Sequence, residues 1–272
     1  MATVNKNFPT DLPFIMDAHA HLGRFRNFHI PSADADGLVA AMDRSGIDVT
    51  VLSAHAAISS DFARGNDESL AATDRYPDRL LAYCVINPNY AESTEAELKR
   101  CFAHPAVRAI KLHPELHGDY PLDGSGYRAA WEFADAFKLP VLSHSYFDGD
   151  PLASFATIAE RYPDAVVIVG HAGLDHGLEP VVELVREHPN VMLDLCGALV
   201  RDGVAEVLAD QVGPERLLFG TDMPFVNGIA QLGTLMYSRL GREALQLVAG
   251  ENAARLFGIP AAAGTTIRKE MP

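Results

Sequence analysis

The sequence is poor in cysteine, in tryptophan and in positive charge. Three cysteines, Cys84, Cys101 and Cys196, are spread over 272 residues with no Cys-x-x-Cys pair. An odd, widely spaced set of this kind argues against a disulfide framework and a structural zinc knuckle. Lys and Arg total 22 against 36 Asp and Glu, a formal net charge of −14. An acidic surface repels phosphate backbones and anionic lipid, so neither nucleic acid nor membrane is expected as a partner. A small anionic substrate stays admissible, because a bound cation and a few local Arg or His residues reverse the field inside a pocket. No apolar run approaches the roughly 20 residues of a membrane span. Met1 to Leu12 lacks the apolar stretch of a signal peptide. No linker, low-complexity segment or helical repeat divides the chain. The expectation is one reduced, soluble, cytoplasmic domain over residues 1–272, with a loosely ordered tail at 261–272.

What is present is a repeating unit: a short apolar run, a turn, then an amphipathic segment of helical period. The apolar runs are Phe14 to His19, Val49 to Ala54, Leu80 to Asn87, Ala109 to His113, Pro140 to Ser145, Val166 to His171, Val191 to Cys196 and Arg216 to Thr221. Helical periodicity follows each of them, for example Leu38, Val39 and Met42 before the stop at Gly46. Thr94 and Glu97 have the spacing of a capping box, and Pro151 sits where a helix tolerates proline best. Runs such as Val-Val-Ile-Val at 166–169 are apolar on both faces, as strands of a parallel sheet covered by helices must be. Eight such units of roughly 30 residues predict a closed (β/α)₈ barrel, a TIM barrel of parallel strands. The rival, an open doubly wound sheet, would carry a Gly-x-Gly-x-x-Gly turn after the first strand. Here that strand runs into His19-Ala20-His21-Leu22-Gly23 instead. The helical stretches 229–240 and 242–257 could cover the barrel or pair two copies in a homodimer.

Residues able to do chemistry gather at the C-terminal ends of the strands, where barrel enzymes place their sites. They are Asp17-Ala18-His19-Ala20-His21, Lys111-Leu112-His113-Pro114, Ser143-His144-Ser145, Gly170-His171-Ala172-Gly173 and Gly220-Thr221-Asp222-Met223-Pro224. His19 and His21, two apart on a strand, point to one side about 6.6 Å apart along it and can converge on one ion. His144 or His171 alone reads equally as a core histidine bonded to a carbonyl, and Asp222 alone reads as a turn cap. The set decides: strands one, five, six and eight each deliver a His or Asp at the same end. Three imidazoles and one carboxylate suit Zn²⁺, or Mn²⁺ or Fe²⁺.

This ordered set resembles the amidohydrolase superfamily and, within it, the amidohydrolase-2 branch. Asn66-Asp67-Glu68, Tyr76-Pro77-Asp78-Arg79, Ile110-Lys111-Leu112-His113-Pro114 and Glu251-Asn252-Ala253-Ala254-Arg255-Leu256-Phe257 carry the likeness over nearly the whole chain. The resemblance implies that His19, His21, His144 and Asp222 hold one divalent metal ion, Zn²⁺ being favoured. It implies that Asp222 accepts a proton from the metal's water. His171 would be a catalytic acid/base or a ligand to a second ion. That second ion would require Lys111 to be carboxylated; otherwise Lys111 pairs with a carboxylate and His113 lines the pocket. Arg24, Arg26 and His55 are candidates for substrate contact, as are Asn87, His117, Tyr146, His176, Phe225 and Asn227 near the strand ends.

The resemblance leaves the reaction open. Hydrolysis of an amide, lactone or related ester-like bond of a small molecule is the leading expectation. The alternative is decarboxylation of a small aromatic or muconate-type acid. Several such decarboxylases resemble Glu-x-His on strand one, whereas this chain has His-x-His, although His-x-His decarboxylases also exist. A TatD-like nuclease would use a similar order of ligands, but it is expected to carry Glu where this chain has Lys111, and the net charge opposes it. A binding protein on a barrel that has lost catalysis would not keep the ligand set intact.

Overall fold

A computed structural model describes residues 12–26 and 28–260. The expected tail at 261–272 lies outside them. Eight parallel strands form one sheet in the order β1-β2-β3-β4-β5-β6-β7-β8. They are β1 (Met16–Leu22), β2 (Val49–Ala54), β3 (Leu80–Val85), β4 (Val107–Leu112), β5 (Pro140–Ser143), β6 (Val166–Val169), β7 (Val191–Asp194) and β8 (Leu217–Leu218). The sheet closes on itself: Ala18 N donates to Phe219 O at 2.9 Å, His21 N to Met223 O at 2.6 Å, and Ala20 bridges Met223 in parallel. This is the (β/α)₈ barrel that the eight apolar runs predict.

The helices between strands are α1 (Ala35–Ser45), α2 (His55–Ile58), α3 (Phe62–Arg75), α4 (Thr94–Phe102), α5 (Arg128–Phe137), α6 (Pro151–Arg161), α7 (Leu178–Glu187) and α8 (Val204–Val212). Local chemistry sets their ends. Asp34, Asp61 and Asp150 each accept a backbone N–H of the first turn of α1, α3 and α6, and Gly46 closes α1 in the left-handed conformation at φ 75°. The capping box expected from Thr94 and Glu97 does not form. Glu97 instead accepts from Asn66 Nδ2 at 2.7 Å and from Arg100 Nη2 at 2.7 Å, and Thr94 Oγ1 is buried without a partner. A charge-assisted bond to guanidinium outcompetes a neutral cap. The strands are also shorter than their apolar runs: β6 stops at Val169 and β8 holds two residues. Beyond those points the chain bends to form the site.

Along most strands every second residue faces the barrel interior, and that inner series changes character along the axis. At the N-terminal end it is apolar: Met16, Val51, Leu81, Tyr83, Ala109, Leu142, Ile168, Met192 and Leu218 pack in one cluster. One step further up, the same faces carry Lys111, His144 and Asp194, all buried. The outward faces pack under the helices in a second, larger cluster. The C-terminal helices α9 (Gly228–Met236), α10 (Arg242–Gln246) and α11 (Asn252–Leu256) follow β8. A π-helical turn, Leu247–Glu251, joins α10 to α11. Ala253, Ala254 and Phe257 join the inner cluster, with the Phe257 ring edge-on to Tyr83 at 6.0 Å. This last segment therefore covers the floor of the barrel. Among the described residues no helix is long and apolar enough to cross a membrane.

Candidate metal centre at the barrel mouth

His19 and His21 lie on the upper half of β1, His19 within an irregularity in its pairing with β2 between Asp17 and Ala20 and His21 just past it. Each ring is held by one nitrogen. His19 Nδ1 bonds Asp194 Oδ2 at 2.6 Å, and His21 Nδ1 bonds Ser53 O at 3.0 Å. Both therefore present Nε2. His21 Nε2 stands 3.0 Å from Asp222 Oδ1, and His19 Nε2 stands 4.0 Å from the same oxygen. A backbone carbonyl or carboxylate that orients an imidazole in this way is the usual support of a metal-ligating histidine. The two imidazoles and the Asp222 carboxylate offer ligand atoms all within 4.8 Å of one another. That donor set and spacing fit a divalent cation such as Zn²⁺ or Mn²⁺.

Close packing makes this geometry available. Gly220 precedes the site on the last strand run, and a Cβ there would overlap Asp194 Oδ1 and come within 2.9 Å of His19 Cβ. Asp17 is wholly buried and accepts from His19 N and Thr221 N, each at 3.0 Å, which ties the first strand to the last. Burial pushes the Asp17 carboxyl up to about 8 despite the Thr221 hydroxyl that bonds it. Asp222 (φ 62°), His171 (φ 54°) and Ala172 (φ 53°) all adopt left-handed backbone. For non-glycine residues this costs on the order of 1–3 kcal/mol each, and such strain tends to concentrate at functional sites.

Electrostatics separate the groups. Burial alone would raise Asp222, but the hydrogen bond with His21 holds it far below the usual carboxylate range. Burial keeps His19 and His113 neutral, pulls His55 to about 3 and pulls His171 to about 4. Lys111 is fully buried, drawn down to about 8 by that burial, with its Nζ 2.8 Å from His19 Nε2.

The other expected residues divide. His144 lines the same cavity, but its close donors are His113 and Glu115 rather than the β1 pair. Its Nε2 stands 3.0 Å from Glu115 Oε2, its Nδ1 stands 3.1 Å from His171 Nε2, and its ring stacks on His113 at 4.0 Å. His171 Nδ1 meets Cys196 O at 3.1 Å, so its Nε2 is free to accept from His144. Arg26 and His55 line the cavity; Arg24 lines a separate surface depression near Glu68. Tyr146 and Phe225 are at the mouth. Asn87, His117, His176 and Asn227 serve local structure: Asn87 and Asn227 cap turns, His117 bonds the Tyr127 hydroxyl, and His176 bonds Ser145 O.

The cavity holds about 230 Å³ between these groups. One wall is aromatic. Phe25 stacks on His55 at 4.8 Å, His55 stacks on His21 at 4.5 Å, and Phe225 meets Phe28 edge-on at 4.6 Å. Sequence reasoning did not single out Glu115, Asp194, Phe25 or Phe28. Asp194 had a readable signal, an acid inside the buried run Val191-Met192-Leu193-Asp194.

Comparison with known proteins adds the following. A family model described as Amidohydrolase matches residues 16–259. None of the curated proteins matches the sequence significantly. Solved structures share the fold at low identity. A candidate amidohydrolase from Staphylococcus aureus is 18% identical, covering 90% of this chain and 99% of its own, with a TM-score of 0.74. A 5-carboxyvanillate decarboxylase from Novosphingobium aromaticivorans, crystallised with manganese, is 15% identical over 95% of this chain and 100% of its own, with a TM-score of 0.73. A 2,6-dihydroxybenzoate decarboxylase from Rhizobium is 19% identical over 91% of this chain and 99% of its own, with a TM-score of 0.72.

Proposed function

We propose that this chain, which belongs to the amidohydrolase family, is a metal-dependent decarboxylase of a small aromatic carboxylic acid. The observation that carries this reading is the aromatic wall of Phe25, Phe28, Phe225 and His55 standing directly beside His19, His21 and Asp222. A planar ring slid along that wall gains stacking and edge contacts, and Arg26 at the rim can pair with an anionic substituent. The decarboxylase activities of two structural neighbours accord with this class of substrate.

A divalent cation bound by His19, His21 and Asp222, with His144 across the cavity, would supply a positive centre for the substrate's carboxylate or an adjacent oxygen. The reaction breaks the bond between ring carbon and carboxylate. Carbon dioxide leaves, the electron pair stays on the ring carbon, and a proton replaces the lost group. Glu115, His144 and His171 form a chain from a partly exposed carboxylate to the buried cluster, through contacts of 3.0 and 3.1 Å. That chain provides a route for the proton, with His171 as the inner acid/base.

Hydrolysis of an amide or lactone is the second reading, and one observation favours it. Asp222 Oδ1 stands 3.0 Å from His21 Nε2 and 4.0 Å from His19 Nε2, so the carboxylate would reach a water on an ion shared with those histidines. The test is a parallel assay of metal-replete protein on dihydroxybenzoates and carboxyvanillate-type acids, and on aryl lactones and amides, run in D₂O. Carbon dioxide release with one deuterium on the vacated ring carbon supports decarboxylation. Turnover of a lactone or amide with no acid decarboxylated would replace it with hydrolysis.

A further inference from the structure

A second pocket lies at the opposite end of the barrel, where β4 and β5 begin. It holds about 410 Å³ between the C-terminal turns of α4 and α5 and the end of α11 with the two residues after it. Its apolar surface comes from Phe102, Phe133, Phe137, Leu139, Leu256 and Phe257. Four cations, Lys99, Arg108, Lys138 and Arg255, also line it, and no Asp or Glu does. In a chain of net charge −14 this is a local reversal of sign.

Arg108 is the informative residue. It occupies the face of β4 that at Ile110 and Leu112 packs under the helices, a layer that seldom accepts an arginine. Its Nε is buried with no hydrogen-bond partner, and among the described residues no carboxylate pairs with it. Burial is the sole cause lowering its pKa. Among the described residues the other three cations have only exposed or neutral partners: Lys99 lies 3.9 Å from Glu95, Lys138 lies 3.2 Å from Asp164, and Arg255 bonds Asn252 Oδ1 at 2.8 Å. A half-buried guanidinium with an unpartnered Nε beside an aromatic cavity is matched by an anion with an apolar body.

We propose that this floor pocket is a binding site for an amphipathic carboxylate, its apolar body against Phe133 and Phe257 and its carboxylate on Arg108. The site is separate from the barrel mouth and does not depend on the reaction assigned there.

The test is calorimetric titration of the full chain with decanoate and 1-naphthoate, and with decanol and decylamine as neutral and cationic controls. The expected result is saturable one-to-one binding of the carboxylates, at least tenfold tighter than decanol, with decylamine not bound. Binding should persist in His144→Ala, which alters the mouth, and weaken at least tenfold in Arg108→Met. Because Arg108→Met removes an unpaired charge, its melting temperature without ligand should equal or exceed that of the unaltered protein. That variant should also lose the decanoate-induced rise in melting temperature. Lys138→Gln, an exposed change, should weaken binding less. The proposal is overturned by no saturable binding, by decanol binding as tightly as decanoate, by binding unchanged in Arg108→Met, by loss of binding in His144→Ala, or by binding seen only in a variant ending at Pro260, which would give the pocket to residues 261–272. Sedimentation showing two copies joined through this face, with decanoate excluded, would assign it to self-association instead.

Discussion

His19 and Asp194 are separated by 175 positions in the chain, and their side chains meet at 2.6 Å inside the barrel. The contact commits His19 Nδ1 to the carboxylate and turns Nε2 toward Asp222. Asp194 is itself held by Cys196 N at 3.0 Å, and burial raises its pKa. Asp194→Asn keeps the shape but weakens this hold on the ring. Affinity for a divalent ion should fall about 10- to 100-fold, measured by competition with a chromophoric chelator. Unchanged affinity would mean that Asp194 serves packing alone.

Gly220 makes that contact sterically possible. Gly220→Ala forces Asp194 or His19 to move, because the added methyl overlaps both. Urea unfolding should register a loss of about 1–3 kcal/mol, the usual cost of overpacking a tight interior. Metal affinity should drop alongside it. A stable variant with full affinity would contradict the packing described here.

Much of this was legible in the sequence, and the reasons are particular. Apolar runs such as Val166–Val169 mark strands buried on both faces, and the His-x-His pair, His144, His171 and Asp222 each follow such a run. Strand direction then puts them all at one mouth. Strand ends are less legible. At His171 and Asp222 the chain turns left-handed, which neither propensity nor period announces for histidine or aspartate in an apolar run. The grouping of His144 with Glu115 rather than with the β1 histidines is likewise a matter of loop path after β4. Phe25 and Phe28 sit in the loop after β1, where spacing carries no face assignment. Lys111 was expected either bridging two ions or paired with a carboxylate; its Nζ lies 2.8 Å from His19 Nε2, within the fields of Asp194 and Asp222.

His117 gives a pH signature away from the candidate metal centre. It is buried, bonds the Tyr127 hydroxyl at 2.8 Å, and burial lowers it from 6.5 to about 4. The unfolded chain therefore takes up a proton at a higher pH than the folded one does. The stability this confers is full above pH 6.5 and is lost as pH falls from there toward 4. His117→Gln removes the titration, so the fall in stability over that window should shrink by on the order of 3 kcal/mol. Chemical denaturation at pH 7.5 and pH 4.5 measures it, and parallel slopes for the two proteins would refute the assignment.

Phe225 tests the aromatic wall. Its ring meets Phe25 at 5.5 Å and Phe28 at 4.6 Å, both edge-on. Phe225→Ala should raise KM for an aromatic acid about tenfold, with a smaller effect on kcat, since roughly 1.4 kcal/mol of ring contact is lost. Equal effects on a small aliphatic substrate would detach the wall from ring recognition.

The barrel is a cylinder with one seam, where its first and last strands meet. Asp17 with Thr221 and His21 with Asp222 lie across that seam. Any ion held jointly by His19, His21 and Asp222 therefore works as a clasp on the cylinder as well as a reagent inside it. Occupancy should set resistance to unfolding, with each tenfold excess of ion over its dissociation constant adding about 1.4 kcal/mol. Stripping the ion with a chelator loosens the seam first, where the opening and closing lengths of the chain are joined.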